Sequence, residues 1–333
     1  MAARVRQQLA TVMKPTGKCD SKIRLGISSC LLGQKVRFDG NHKHDSFLTG
    51  TLGQFFEWVP VCPEVAIGLG IPRPPIRLAG SPASPRAVGV KDTTIDVTDK
   101  LAAYGKRQAH TLENLSGYIF KSKSPSCGME RVKVYQAGRA PAANGRGIYA
   151  DAFLSAQPWL PAEEEGRLSN PRLRENFIER VFVYRRWQDL VARGLSASRL
   201  VEFHTHHKLA LMAHDVEAYR ALGRLVAQAG RRNLKEFGHD YIRRLMDALQ
   251  RPATPARHAN VMMHLMGYLK KQIDAEDKSE LIEMIHAYRR GETPFAAPLT
   301  LLRHYFRRFP EPTIMRQTYL YPDPRELLLR GSL

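Results

Sequence analysis

The chain has 333 residues, 43% hydrophobic and 25% charged, an ordinary balance for a globular protein whose length exceeds one core and predicts two domains. No stretch reaches the roughly 20 apolar residues of a membrane span and the opening MAARVRQQLATVMKPTGK lacks an apolar signal core, which predicts a cytoplasmic protein with no membrane partner. A net charge of +19, spread over both halves, favours a polyanionic partner such as nucleic acid, and four cysteines are too few for a disulfide framework and read better as ligands or nucleophiles.

In chain order, residues 1–21, which include Cys19, read as a flexible amino-terminal extension. Residues 22–167 read as an α/β domain built on an open, mainly parallel, Rossmann-like sheet. KIRLGISS alternates Ile23, Leu25 and Ile27 as a strand does and runs into Cys30 and the turn RFDGNHK, where Asp39 reads as a turn former. A helix is expected over Ser46 to Phe56, then a strand FEWVPVC ending on Cys62, and a third strand SGYIFKS just before SPSCG and Cys127. Each of these cysteines follows the carboxyl end of a predicted strand, the edge where ligands bind in open parallel sheets. Three sequence-distant thiols can therefore meet, and three thiolates can hold an iron-sulfur cluster that leaves one iron open. The Gly- and Pro-crowded segment IGLGIPRPPIRLAGSPASPRAVG is expected to be a long surface loop offering Arg73 and Arg77 to anionic groups. VYQAGRAPAANGRGIYADAFLSAQPWLPAEEEGRL reads as an irregular segment that closes the domain or forms a mobile cover.

From Asn170 the period changes, and residues 168–333 read as an all-α domain. Asn170 as cap, Pro171 in the first turn and Phe177, Ile178, Val181, Phe182 and Leu190 at helical spacing mark its first helix. Five further helices follow, then the basic amphipathic LTLLRHYFRRF and an extended tail. In FHTHHKLALMAHD, Leu209, Leu211 and Met212 are expected to face the core, with His204, His207 and Lys208 toward solvent or RNA phosphate. Arg303 and Arg307 lie four apart and so share a helical face.

CLLGQKVRFDG, VCPEVAIGLGIPRPP and KSKSPSCG together resemble the TudS-like thiouracil desulfidase family. FHTHHKLALMAHD, HANVMMHLMGYLKKQ, LTLLRHYFRRFP and YLYPDPRELLLR look like the helical domain fused to such a module in the RudS group of tRNA 4-thiouridine desulfidases. The resemblance runs from about Lys22 to Arg330 and leaves Cys19 outside. It implies a 4Fe-4S cluster held by only three cysteines, matching Cys30, Cys62 and Cys127. It further implies non-redox, hydrolytic removal of sulfur from a thiolated pyrimidine, with tRNA as substrate and no obligatory protein partner.

Within that frame Glu64, two residues after Cys62, is the carboxylate placed to activate water, the plainer alternative being a cap on a helix starting at Pro63. Ser124 or Ser126 could stabilise the departing sulfur, with Ser124 preferred. Arg73, His204, His207, Lys208, Arg303 and Arg307 are the expected RNA contacts. A histidine zinc site from His204, His207 and His214 lacks a clear further ligand. Two other functions stay open at this level: desulfuration of free thiopyrimidines, or a non-catalytic RNA-binding iron-sulfur protein. The cysteines alone would also suit a 3Fe-4S form or a zinc site.

Overall fold

A computed structural model of the chain describes residues 22–230 and 233–331, so Cys19 lies outside the described residues. Its amino-terminal part is an α/β unit and the remainder is helical, as the change of period predicts. The first sheet is four-stranded and wholly parallel, in the order β2 (Phe56–Val61), β1 (Ile23–Ser28), β5 (Gly117–Phe120), β8 (Ala162–Glu164). Strands β1 and β5 are buried almost throughout, which is why IRLGIS and GYIF are nearly continuous apolar runs.

The segment expected to be a surface loop is instead a hairpin, β3 (Ile76–Ser81) and β4 (Ser84–Gly89), and it seeds a second four-stranded sheet. Strand β3 pairs in parallel with β6 (Val132–Tyr135), which pairs antiparallel with β7 (Ala142–Gly145), giving the order β4-β3-β6-β7. Proline is tolerated there because Pro85 lies on the edge strand β4, whose outer side needs no ladder donor. The expected helix over Ser46 to Phe56 is only a wide π turn, Phe47–Thr51, followed by a 3₁₀ turn, Leu52–Gln54.

Helices cover the first sheet. After the short α1 (Pro63–Ala66) come α2 (Thr98–Thr111) and α3 (Ile148–Ala156), the latter inside the stretch expected to be irregular. These two pack so closely at Gly105 that a β-carbon there would lie 2.8 Å from the Tyr149 carbonyl oxygen and 2.9 Å from Ala152 Cβ. The long α4 (Pro171–Ala192) starts as expected, with Asn170 Oδ1 accepting from the Arg172 and Leu173 N–H groups. One side of α4, through Phe177, Ile178, Val181 and Phe182, packs on Ile23, Leu25, Ile27 and Phe56 of the parallel sheet. Its carboxyl half sends Val183, Tyr184 and Trp187 into a core shared with later helices. Buried on almost every face, α4 joins the two halves.

Helices α5 (Ala197–His214), α6 (Val216–Val226), α7 (Leu234–Leu249), α8 (Pro255–Leu269), α9 (Ala275–Arg290) and α10 (Ala296–Arg308) complete the helical part; the segment 310–323, expected to be an extended tail, runs through turns into α11 (Pro324–Gly331). Among the described residues no helix is long and apolar enough to cross a membrane.

Candidate active site

Strands β2, β1 and β5 are neighbours, so their carboxyl ends open onto one crevice. A cavity of about 320 Å³ sits there, and Cys30, Cys62 and Cys127 all line it, together with Glu64, Arg73 and Ser124. Cys30 lies in a 3₁₀ turn, Ser29–Leu32, closed by left-handed Gly33, and its carbonyl accepts from Lys43 N at 2.9 Å. Cys62 caps α1, where the Val65 and Glu64 N–H groups favour its thiolate. The Cys127 turn is built by Ser124, whose Oγ accepts from Ser126 N at 3.2 Å and Cys127 N at 3.1 Å. Gly147 presses on that turn from behind, since a β-carbon would stand 2.5 Å from Ser126 C and 2.8 Å from Cys127 N.

The thiols influence one another. Burial first, then the neighbouring Cys62, pushes Cys30 up to about 11, while Lys121 and Arg37 pull it back. Burial, then Glu64 and Cys62, drives Cys127 well above the ordinary thiol range, and burial likewise raises Cys62. Three protonated thiols desolvated in one pocket become stable thiolates only when a cation takes the place of their protons. Among the described residues no three His, Cys, Asp or Glu side chains converge tightly enough for a single ion. A cluster asks something different, because each thiolate binds its own iron and the sulfurs need not share one coordination shell. The soft donor set on a common cavity fits that group.

Glu64 is fixed from two sides. Arg73 donates to its Oε2 through Nε at 2.9 Å and Nη2 at 2.8 Å, and Ser126 Oγ donates to Oε1 at 2.9 Å. Arg73 also donates to the Gly70 and Val36 carbonyls, so every guanidinium nitrogen has a partner. This corrects the expectation for Arg73: only 8% exposed, it cannot meet RNA at a surface and instead orients the carboxylate. Of the two serines, Ser124 lines the cavity and Ser126, fully buried, holds Glu64. Ser124 Oγ accepts two backbone bonds, which leaves its hydroxyl hydrogen uncommitted among the described residues.

Further residues emerge that the chain order concealed. Lys121 bonds Glu165, and Ser122 donates to the same carboxylate from both N and Oγ, at 2.7 Å each, tying the end of β5 to the residue after β8. Only the motif KSKSPSCG hinted at Lys121; Glu165, from an unremarkable EEEG, had no local signal.

The helical residues expected to touch RNA divide. Leu209, Leu211 and Met212 are buried as anticipated, but so are His204 and His207, which corrects their assignment to an exposed face. The physical reason is that α5 is surrounded: His204 Nδ1 meets Tyr241 Oη at 3.2 Å, and His207 Nδ1 donates to the Phe203 carbonyl at 2.7 Å. His214 points elsewhere again, toward Glu179 at 3.0 Å and the Arg251 carbonyl at 2.6 Å, so the three rings do not converge. Lys208 and Arg303 are half-buried, Arg303 Nε donating to the Leu320 carbonyl at 2.6 Å, while Arg307 is exposed. Arg77 lies off the cavity, its guanidinium over the Tyr135 ring at 5.1 Å.

Burial and, less strongly, Lys208 lower His204 to about 4, while burial and then Arg186, His206 and His204 lower His207 to about 3. The neutral rings are therefore favoured in the folded state, and an unfolded ring binds its proton near 6.5. Stability contributed by each ring is complete above pH 6.5 and is lost as pH falls from there toward 4 and 3. The linked loss is roughly 2 kcal/mol per ring by pH 5. The urea midpoint is expected to drop between pH 7 and pH 5, and to drop less in His207→Leu; a midpoint that is flat over that range in the parent chain contradicts the assignment.

Residues 25–165 match the family described as 2-thiouracil desulfurase, and residues 208–324 match one described as a protein of unknown function, DUF1722. The uncharacterised protein YbgA of Escherichia coli (strain K12) is 35% identical over 162 residues, covering 48% of this chain and 96% of YbgA. A solved structure of the 4Fe-4S-dependent thiouracil desulfidase TudS is 28% identical, covering 44% of this chain and 94% of that one, with a TM-score of 0.34.

Proposed function

We infer that this chain, which belongs to the family of YbgA and carries a 2-thiouracil desulfurase module in residues 25–165, removes sulfur from a thiolated pyrimidine by an iron-sulfur-dependent, non-redox route. Its substrate in this reading is 4-thiouridine in tRNA, and the products are uridine and sulfide. The observation that carries the reading is the meeting of Cys30, Cys62, Cys127 and Glu64 on one cavity at the edge of a parallel sheet. The net charge of +19 supports a polyanionic carrier for the base. Residues 168–333 would grip that carrier, with exposed Arg307 among the contacts.

The three cysteines would hold a 4Fe-4S cluster. Bound there, it supplies a soft Lewis-acidic iron with an open position for the thiocarbonyl sulfur. Glu64 lines the cavity with Oε2 pinned by Arg73 and Oε1 held by Ser126 alone, so Oε1 keeps a lone pair for the proton of an incoming water. Ser124 offers its free hydroxyl hydrogen to charge developing on the ring or the departing sulfur. Atoms balance as thiocarbonyl plus water giving carbonyl plus hydrogen sulfide, with no electron exchanged. A base stacked in a folded RNA must first be turned out, at roughly a few kcal/mol.

The test is sulfide release and loss of the thione absorbance under anaerobic conditions, with the full chain and either thiolated tRNA or free thiouracil. Sulfide in step with thione loss is expected from the tRNA. Turnover of free thiouracil alone would assign the chain to free thiopyrimidines, and turnover of neither would leave no desulfidase.

A further inference from the structure

The cavity has a mouth whose chemistry the desulfuration step does not use. Phe38 stands there 38% exposed, a large apolar ring left in water beside the cysteines. It is held in place by its surroundings: the turn 37–41 closes with Gly40 N donating to the Arg37 carbonyl at 3.0 Å and Asn41 N to Asp39 Oδ1 at 3.1 Å. Arg73 N donates to the Phe38 carbonyl at 2.9 Å, so the residue that orients Glu64 also fixes the backbone under this ring. The Arg37 guanidinium lies 5.4 Å from the ring centroid, stiffening it further.

The charges around the mouth are lopsided. Arg37, Lys43, Arg73, Lys121 and Lys123 line the cavity, against Glu64 as the sole lining carboxylate among the described residues. Arg73 is spent on Glu64, Lys121 on Glu165, and Arg37 lies 3.6 Å from Asp39. Lys43 and Lys123 are exposed and have no ion pair among the described residues. Lys123 is one of two described non-glycine residues with positive φ, at 59°, a conformation disfavoured for a side-chain-bearing residue and here held next to the Cys127 turn. Lys43 is tethered through its N–H to the Cys30 carbonyl. Both lysines line the cavity yet are exposed, so their ammonium groups are open to the phosphates of a base that enters with its sugar toward solvent.

We propose that Phe38 is the stacking platform that receives the pyrimidine at the cavity mouth, and that Lys43 and Lys123 bind the phosphates flanking it, so that the site selects a base carried on a phosphodiester chain over a free base. The proposal rests on the desulfidase reading but concerns residues outside the reacting set. Phe38 and the two lysines are positioning residues, since none of them meets the thiocarbonyl carbon.

The experiment measures binding of two unthiolated probes, the trinucleotide UpUpU and uracil, by the anaerobically prepared full chain. Phe38→Leu is expected to weaken both probes by roughly fivefold or more, the effect of losing one base-aromatic stack, and Phe38→Trp to restore both. The double variant Lys43→Gln/Lys123→Gln is expected to weaken UpUpU by roughly tenfold, flatten its salt dependence by about two phosphates' worth, and leave uracil unchanged. With thiolated RNA the same variants should raise KM and leave kcat close to the parent value. The proposal is overturned if Phe38→Leu binds both probes as the parent does, if the lysine pair leaves UpUpU untouched, or if the parent binds neither probe. Those results leave sulfide release by the parent intact; conversely, probe binding that follows the expected pattern with no sulfide release from any substrate sinks the desulfidase reading and spares the platform.

Discussion

Replacing Glu64 by Gln is expected to lower kcat by roughly 100- to 10,000-fold, the usual contribution of a positioned general base. The amide keeps the shape of the carboxylate and can still accept from Ser126, but it cannot take a proton from water. Bound iron and sulfide should be unchanged, because the amide can still accept from Ser126 on the Cys127 turn, the Glu64 N–H beside Cys62 is backbone, and Cys30 follows β1 on a separate turn. The folded state should suffer as well, since Arg73 would be left buried with only the Gly70 and Val36 carbonyls as partners. Breaking a buried ion pair by removing one partner costs about 3–5 kcal/mol, so a lower unfolding midpoint should accompany the lost turnover. Glu64→Asp separates the two effects, keeping the charge while retracting it from the water. A Glu64→Gln enzyme that keeps its cluster and turns over within about tenfold of the parent would remove the carboxylate from the chemistry.

The second large effect is expected at the cysteines. Cys30→Ala, Cys62→Ala and Cys127→Ala should each lose bound iron and acid-labile sulfide and fall to background desulfuration, because a cluster held by two thiolates has too few anchors to persist. Cys19→Ala should match the parent in iron, sulfide and rate. The reading of these variants depends on the fold surviving, and here burial helps. Each thiol lies at the end of a strand or on a turn whose backbone is bonded independently of sulfur, as the Cys30 carbonyl to Lys43 N and the Ser124 Oγ to Cys127 N illustrate. Circular dichroism should therefore be unaltered while the visible absorbance of the cluster disappears. Iron loss in Cys19→Ala, or full iron content in any one of the other three, would mean that the ligand set is different.

Much of this architecture is legible in the chain itself. Strand alternation in KIRLGISS, the apolar run GYIF and the Asn-Pro start of α4 are local signals, set by side chains two to four residues apart, and the structure places strands and a helix there. The position of Cys30 and Cys62 just past strand ends, and of Cys127 on the turn that follows β5, is equally local, and the parallel order β2-β1-β5 turns it into a common cavity. The second sheet was hidden because its strands carry Gly and Pro that ordinarily mark loops, and only the edge position of β4 makes Pro85 harmless. Helix α3 was hidden by its short length between breakers.

By itself, then, the sequence determined an α/β unit followed by helices, three thiols poised at strand ends, a carboxylate beside one of them and a strongly basic surface. Only the tertiary structure decided which polar groups serve the site and which serve the core. Ser126 reaches Glu64 across 62 residues, Lys121 reaches Glu165 across 44, and Arg73 turns inward because a carboxylate and two carbonyls compensate its burial. His204 and His207 turn inward because α7 supplies Tyr241 and their own helix supplies the Phe203 carbonyl. Periodicity reports the face a residue shares with its near neighbours. The direction a charge takes depends on partners that distant segments bring, and desolvation makes that choice costly to get wrong.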